Sequence, residues 1–325
     1  MSSLGNYQSL RVVVIGSYNT DLVIWCDAIP LKGRSIQGGD FEMFSGGRGA
    51  NCAVAAARSG CQVKFVGAHG SDAFGKMARD RLAREGIDIT DFVELPLSKT
   101  GVAMIFQERK TASHSALVSN SANTDFSPTL VKKAEPDIRD SDLVFTQFEI
   151  STAVLSEIYR ICHHHKKHLV IHAAPVQPPV SFPKSSYYLL VADDFDALSL
   201  TGRDDLDASI RELHERGVQN VIIRREHQPL IFSDGTACRV QPVPAAPFVQ
   251  CTGSVECLTA WAGIALARSG NLAYATYVGA QALAFSLSRH GAEESMPYAS
   301  ELSLDPAPPT FPQPYSLRRP DGIRH

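Results

Sequence analysis

Six short apolar runs constrain this chain most: "RVVVIG" (11–16), "QVKFVG" (62–67), "DLVFTQFEI" (142–150), "HLVIHAAP" (168–175), "YYLLVAD" (187–193) and "NVIIRRE" (220–226). Each has the length of a strand. Apolar runs without clean alternation mark strands buried on both faces. Between them lie helical patterns, "NCAVAAARSG" (51–60), "DAFGKMARDRLAREG" (72–86), "TAVLSEIYRICHHHKK" (152–167) and "LDASIRELHERG" (206–217). The first is rich in alanine and stops at Gly60, and the second stops at Gly86. Strands that alternate with helices imply βαβ units and a mainly parallel sheet with helices on both faces.

Two regions depart from this rhythm. "DLVIWCDAIP" and "IQGGDFEMFS" are short alternating pieces broken by Pro30, Gly33 and Gly38-Gly39. "TGVAMIFQE" and "SHSALVS" pattern as a hairpin. Together they predict small antiparallel strands, from about 20–45 and 99–119, outside the main sheet. The last 21 residues (305–325) hold six prolines and pattern as a loosely ordered tail behind a domain over 11–304.

With 325 residues, 44% of them apolar and 20% charged, the chain can bury a sizeable core. A net charge of −3 without a basic stripe argues against nucleic acid as partner. No apolar run reaches membrane length, so no membrane partner is expected. Seven scattered cysteines without a C-x-x-C pair fit reduced thiols, and the polar N-terminus carries no secretory pattern, so a cytoplasmic protein is expected.

Several stretches carry chemistry. "GSYNTD" (16–21) places Asn19 and Asp21 at the carboxyl end of the first buried strand, the edge where open α/β sheets bind ligands. A carboxylate there suits paired sugar hydroxyls; an Asx turn is the plainer reading. "SGGRGAN" (45–51) combines Gly46, Gly47 and Gly49 with Arg48 and Asn51 at a helix start. It is a ligand loop or a glycine-rich connector. It follows a lid-like piece rather than the first strand, which speaks against a dinucleotide fingerprint, and no P-loop occurs. "TQFEI" (146–150) sets Glu149 on the same edge. Asp193, Asp194 and Asp196 follow another strand and could hold Mg²⁺ through water, or simply favour a helix N-terminus. "HHHKKH" (163–168) reads as a solvated cationic helix end. "VQCTGSVECLTAWAGIALARSG" (249–270) turns from a strand through Thr252-Gly253-Ser254 into a helix that begins with Glu256. Such a turn offers N–H groups to an anion, with a carboxylate beside it able to take a proton.

In this order, from about residue 11 to 299, these motifs resemble the ribokinase-type carbohydrate kinases of the PfkB family. "VVVIGSYNTD", "SGGRGANCAVAAARSG", "VGAHGSDAFGKMARDRLAREGID", "TGVAMIFQ" and "GAEESMP" carry the likeness. The resemblance implies a three-layer α/β/α sandwich with a small β-sheet lid over the sugar, the lid also forming a homodimer contact. It further implies ATP, Mg²⁺ and a pentose or related sugar or nucleoside as ligands.

Matched position by position, Asn19, Asp21, Gly46, Gly47, Arg48, Asn51 and Glu149 fall on the sugar-binding positions. Arg48 stands where Lys is usual. Gly253 and Ser254 fall on the anion hole, and Glu256 stands in place of the catalytic Asp. Gln250 replaces an Asp linked to a monovalent-cation site, and Val255 replaces the last glycine of the hole. Asp193 and Asp196 stand for the N-x-x-E motif that organises Mg²⁺ and phosphate. Arg224, with Arg225 and Glu226, replaces a T-x-G strand end at the nucleotide, where Thr252 is also expected, and Pro229 replaces a further glycine.

At Val255, where the family has glycine, a φ above zero is expected to be strained in a β-branched residue, and its side chain to crowd the donors. Losing one such donor costs roughly 3–4 kcal/mol in the transition state. Two readings therefore stand: an ATP-dependent pentose kinase, or a non-catalytic descendant that binds a sugar or nucleoside.

Overall fold

A computed structural model describes residues 9–29, 31–108, 114–176, 185, 187–302 and 304. The proline-rich stretch 305–325 lies outside the described residues.

In chain order the elements are β1 (Arg11–Ile15), β2 (Asn19–Cys26), β3 (Phe41–Gly46), α1 (Arg48–Arg58), β4 (Gln62–Gly70), α2 (Ala73–Arg84), β5 (Asp88–Leu95), β6 (Gly101–Glu108) and β7 (His114–Ser119). Three short helices follow, α3 (Ala122–Asp125), α4 (Pro128–Lys133) and α5 (Glu135–Asp140). Then come β8 (Leu143–Gln147), α6 (Thr152–His164), β9 (His168–His172), β10 (Tyr187–Asp193), α7 (Asp194–Thr201), α8 (Leu206–Glu215) and β11 (Val218–Arg224). The chain closes through β12 (Leu230–Ser233), β13 (Cys238–Gln241), α9 (Ser254–Ser269) and α10 (Leu272–Leu287).

Nine strands form the main sheet in the order β13-β12-β11-β10-β9-β8-β1-β4-β5. The pairings from β10–β11 across to β4–β5 are parallel, and the antiparallel partners β12 and β13 finish one edge. Alternate residues of β1 serve two cores. Val12 and Val14 belong to the core that α1, α9 and α10 cover, whereas Val13 and Ile15 belong to the core that α4, α5, α6 and α8 cover. That double burial is why "RVVVI" shows no polar alternation. Side-chain caps set where several helices begin: Asp72 accepts from Gly75 N, Ser151 from Val154 N and Asp205 from Ala208 N.

The second sheet has the order β3-β2-β6-β7. Both outer pairings are antiparallel, as the alternating patterns imply, but its two central strands, β2 and β6, run parallel. Sequence patterning is blind to this, because β2 and β6 are brought together by elements of the main sheet. All seven cysteines are free, and among the described residues no helix is long and apolar enough to cross a membrane.

On the main sheet the strand order reverses at β1, which has β4 on one side and β8 on the other. A crevice opens at such a switch point beyond the carboxyl ends of the strands. Helix α1 enters that crevice closely. A Cβ on Gly49 would lie 2.6 Å from Ser17 N and 2.8 Å from the Gly16 backbone. Gly49→Ala is therefore expected to cost about 1–3 kcal/mol through overpacking. Denaturant unfolding measures the loss, and an unchanged midpoint would contradict this packing.

Candidate active site

Segments at the carboxyl ends of β1, β8, β10 and β11 converge with the starts of α1 and α9 on one cleft of about 260 Å³. Its walls include Asn19, Asp21, Gly47, Arg48, Asn51, Glu149, Asp193, Arg224, Thr252, Gly253, Val255 and Glu256, and the inner face of the lid adds Ala103, Ile105, Ala116 and Val118. Eleven of these are residues singled out from the sequence; Gly46, Ser254 and Asp196 are the expected site residues that do not line the cleft.

Arg48 is the hub. It starts α1, and its Nη1 donates to Glu256 Oε1 at 2.9 Å. Its Nε lies 3.2 Å from Glu149 Oε1, an ionic contact whose angle falls short of a hydrogen bond. The Arg48 backbone N–H donates to Glu149 Oε2 at 3.2 Å, and Ser17 Oγ donates to the same oxygen at 2.5 Å. Gln147 side-chain oxygen accepts the Glu149 backbone N–H, so the residue after β8 is fixed from both ends.

Asp21 is 5% exposed and, among the described residues, its carboxyl has no hydrogen-bond or ion-pair partner. Burial raises its carboxyl to about 8, reinforced by the charges of Glu149, Glu256 and Glu294 and opposed by Arg48. Gly46 serves it by absence, since a Cβ there would stand 2.3 Å from Asp21 Oδ2. Asn51 Oδ1 is buried without a partner, a second unsatisfied acceptor at the same cleft. Asn19 is held from behind by Asn123, whose Nδ2 donates to Asn19 Oδ1 at 2.9 Å. Unpaired buried acceptors facing a hollow suit a ligand that brings hydroxyl donors.

The α9 start differs from the expectation at Val255. Left-handed backbone falls on Gly253 (φ +78°), the N-cap, while Val255 is an ordinary helical residue of the first turn. The strain expected from a valine at φ above zero is therefore absent, because the left-handed residue falls two positions earlier than the motif suggests. Ser254 is not free to serve as a donor: its N–H bonds to Cys251 O at 3.1 Å and its Oγ to the same oxygen at 2.6 Å. The N–H groups of Gly253 and Val255 are the donors left over at the helix start, since the Glu256 N–H is turned to its own carboxylate.

Glu256 is 4% exposed. Burial alone would raise its carboxyl. The charge and proximity of His172, with Arg48 and the backbone N–H of Glu256 itself, outweigh that and hold it down at about 2. His172 Nδ1 lies 3.2 Å from Glu256 Oε1. Sequence reading passed over His172, although it ends "HLVIH" on the edge that carries Glu149 and Asp193; that position is the signal that could have found it.

The acidic trio after β10 does not act together. Asp193 faces Arg224 Nη1 at 3.5 Å, whereas Asp196 Oδ1 accepts the Val176 N–H at 3.0 Å and Asp194 bonds the N–H of Phe195. Among the described residues no group of three His, Cys, Asp or Glu side chains is placed to hold a metal ion. Asp193 and Asp196 thus do not fit a shared Mg²⁺ site, since one is spent on an arginine and the other on a loop. Gln250 Oε1 accepts the Gly291 N–H at 3.3 Å and brings no charge for a monovalent cation.

A second cleft of about 330 Å³ adjoins at Arg224 and is lined by Arg225, His227, Pro229, Phe248, Leu283 and Leu287 among others. Arginines at its mouth and apolar walls behind suit a phosphorylated ligand with a flat apolar body.

A family profile described as pfkB family carbohydrate kinase matches residues 9–299. The chain belongs to that family. It is 28% identical to the ribokinase of Haemophilus influenzae over 297 residues, covering 89% of this chain and 96% of that one. It is 29% identical to the ribokinase of Bacillus subtilis, covering 90% and 98%. Among solved structures, ribokinase from Giardia lamblia superposes with a TM-score of 0.82 at 21% identity, covering 90% of this chain and 98% of that one. Arabidopsis thaliana ribokinase complexed with ribose and ATP gives 0.81 at 21% identity, covering 90% and 97%. The structural likenesses establish the ribokinase-like α/β fold with its smaller second sheet.

A carboxyl raised to about 8 keeps its extra proton in the folded state from the usual carboxylate range upward. It therefore adds stability at low pH that is lost as pH rises toward 8. Asp21→Asn is expected to flatten that decline and to stabilise the protein at pH 9 by on the order of 1–2 kcal/mol. Unfolding midpoints between pH 6 and 9 measure it; a parallel pair of curves would refute the assignment.

Proposed function

We propose that this chain is a sugar kinase that transfers the γ-phosphoryl group of ATP to a hydroxyl of a pentose of the ribose class. One observation carries the reading. Asn51 leaves a buried acceptor open, and Asp21 an unpaired carboxyl, on the same hollow that Glu256 and the α9 start line. Ribose supplies vicinal hydroxyls to those acceptors, and the lid residues Ala103 and Ile105 cover its less polar face.

ATP supplies the phosphoryl group, and the cleft behind Arg224 has the charge and the apolar walls to receive it. Glu256 takes the proton of the attacking hydroxyl, as an ionised carboxylate held in place by Arg48. Backbone N–H groups of Gly253 and Val255 face the charge that develops on the transferred group. Arg224 exchanges Asp193 for phosphate oxygens, a charge-assisted pairing that an arginine fork favours. No step is assigned to a metal ion, because among the described residues no group of three His, Cys, Asp or Glu side chains is placed to hold one.

A second reading, a sugar-binding protein without turnover, is favoured by the ion pair that already occupies Glu256. A carboxylate held at about 2 is a weak base. The two separate cleanly. In the first, ATP and ribose yield a phosphopentose, Glu256→Gln lowers kcat by roughly 10²–10⁴-fold, and ribose affinity by calorimetry changes only a few-fold. Ribose binding with no product from any pentose or nucleoside would establish the second reading instead.

We further propose a homodimer through the outer face of the lid. Met43, Leu22, Met104 and Leu117 lie in one cross-strand row, and Leu117 is 72% exposed. Phe41, 60% exposed, extends this apolar face on the neighbouring row beside Ile24. Such a face is ordinarily covered. Light scattering of the full chain is expected to report a dimer, and Leu117→Glu a monomer.

A further inference from the structure

We propose that His172 is a positioning residue for Glu256: it steadies the Glu256 carboxylate so that its outer oxygen meets the attacking hydroxyl. This rests on the kinase reading above and assigns a role to a side chain outside the cleft lining.

Three observations support it. His172 ends β9 on the ligand edge of the sheet and is 1% exposed, so its ring orientation is set by packing. Its Nδ1 is buried without a hydrogen bond of good geometry, and among the described residues its ion-pair partner is Glu256 Oε1 at 3.2 Å. Arg48 Nη1 grips that same oxygen at 2.9 Å from another element. Two nitrogens, from α1 and β9, thus converge on Oε1; with Nδ1 protonated both donate to it, and Oε2 is left for the substrate. Catalytic hydrogen bonds that are loose without ligand commonly tighten when substrate is bound.

The need for a second arm follows from chain length. A glutamate has one more rotatable bond than an aspartate, and a base that wanders by about 1 Å can lose on the order of a hundredfold in rate. Arg48 alone is divided between Glu149 and Glu256. His172 provides the restraint that Arg48 shares out. The step itself is a proton transfer: the sugar O–H bond breaks, its proton goes to Glu256 Oε2, and His172 keeps its Nδ1 proton in the bond to Oε1.

The test uses the full chain with ATP and ribose, comparing His172→Leu, which keeps bulk but removes the donor, with His172→Asn, whose side-chain N–H falls near the original Nδ1. His172→Leu is expected to lower kcat by about 10–100-fold with KM for ribose within about threefold, and His172→Asn to recover most of it. In a Glu256→Asp background, whose shorter side chain no longer reaches the imidazole, His172→Leu is expected to add less than about threefold. Calorimetric ribose affinity confirms that each variant is folded. An active parent whose kcat is unmoved by His172→Leu overturns this proposal alone. An equal loss in both backgrounds also overturns it, since it marks a structural role. A parent that phosphorylates nothing overturns the kinase reading and this proposal together.

Discussion

The Arg48 guanidinium, held between Glu149 and Glu256, is the interaction on which the site depends. It joins the start of α1, the end of β8 and the start of α9, three segments separated by 101 and 208 residues from Arg48. Bulk water would make each pair nearly worthless. Here both carboxylates are buried and the arginine is about two-thirds covered, so removing any member leaves an uncompensated charge in a poorly solvated place. A lysine, with a single ammonium on a flexible stem, could not present separate nitrogens to two acids in this way.

One guanidinium does not balance three acids. Glu149 and Glu256 take it, and Asp21 is left close by with burial and like charges against its ionisation. The consequence is a site in which two carboxylates are restrained and a third stands open with Asn51. Openness of that kind is costly for folding and useful for recognition, because a ligand that brings hydroxyls satisfies what the protein leaves unsatisfied. Gly46 shows that the arrangement is built rather than incidental, since any side chain there would expel the Asp21 carboxylate.

On the other rim the replacements form a coherent set rather than scattered damage. Arg224 and Asp193 pair across neighbouring strands β11 and β10, which are in direct register at those two residues. Asp196 has become a brace for the 174–176 loop, and Gln250 a neutral partner for the Gly291 turn. The charge of Asp193 is balanced here by Arg224. Val255, which looked the most damaging residue, is accommodated because Gly253 carries the left-handed turn before it.

The sequence by itself determined the layered α/β architecture, since buried strands on both faces of a sheet must be apolar along their whole length and helices must show period-3.6 faces. From strand ends it also placed Asn19, Asp21 and Glu149 on one edge of the sheet, because strand ends are local signals, while Asn51, Asp193 and Glu256 were joined to them through the family resemblance. Only the tertiary structure decided what these residues do to one another. The parallel meeting of β2 and β6, the spending of the Ser254 N–H on Cys251, the division of the acidic trio after β10 and the approach of His172 to Glu256 all depend on contacts between distant segments. Periodicity and motif spacing report the environment of a residue along its own element. They do not report which partner claims a donor or a charge once the elements pack, and at this site those claims decide the chemistry.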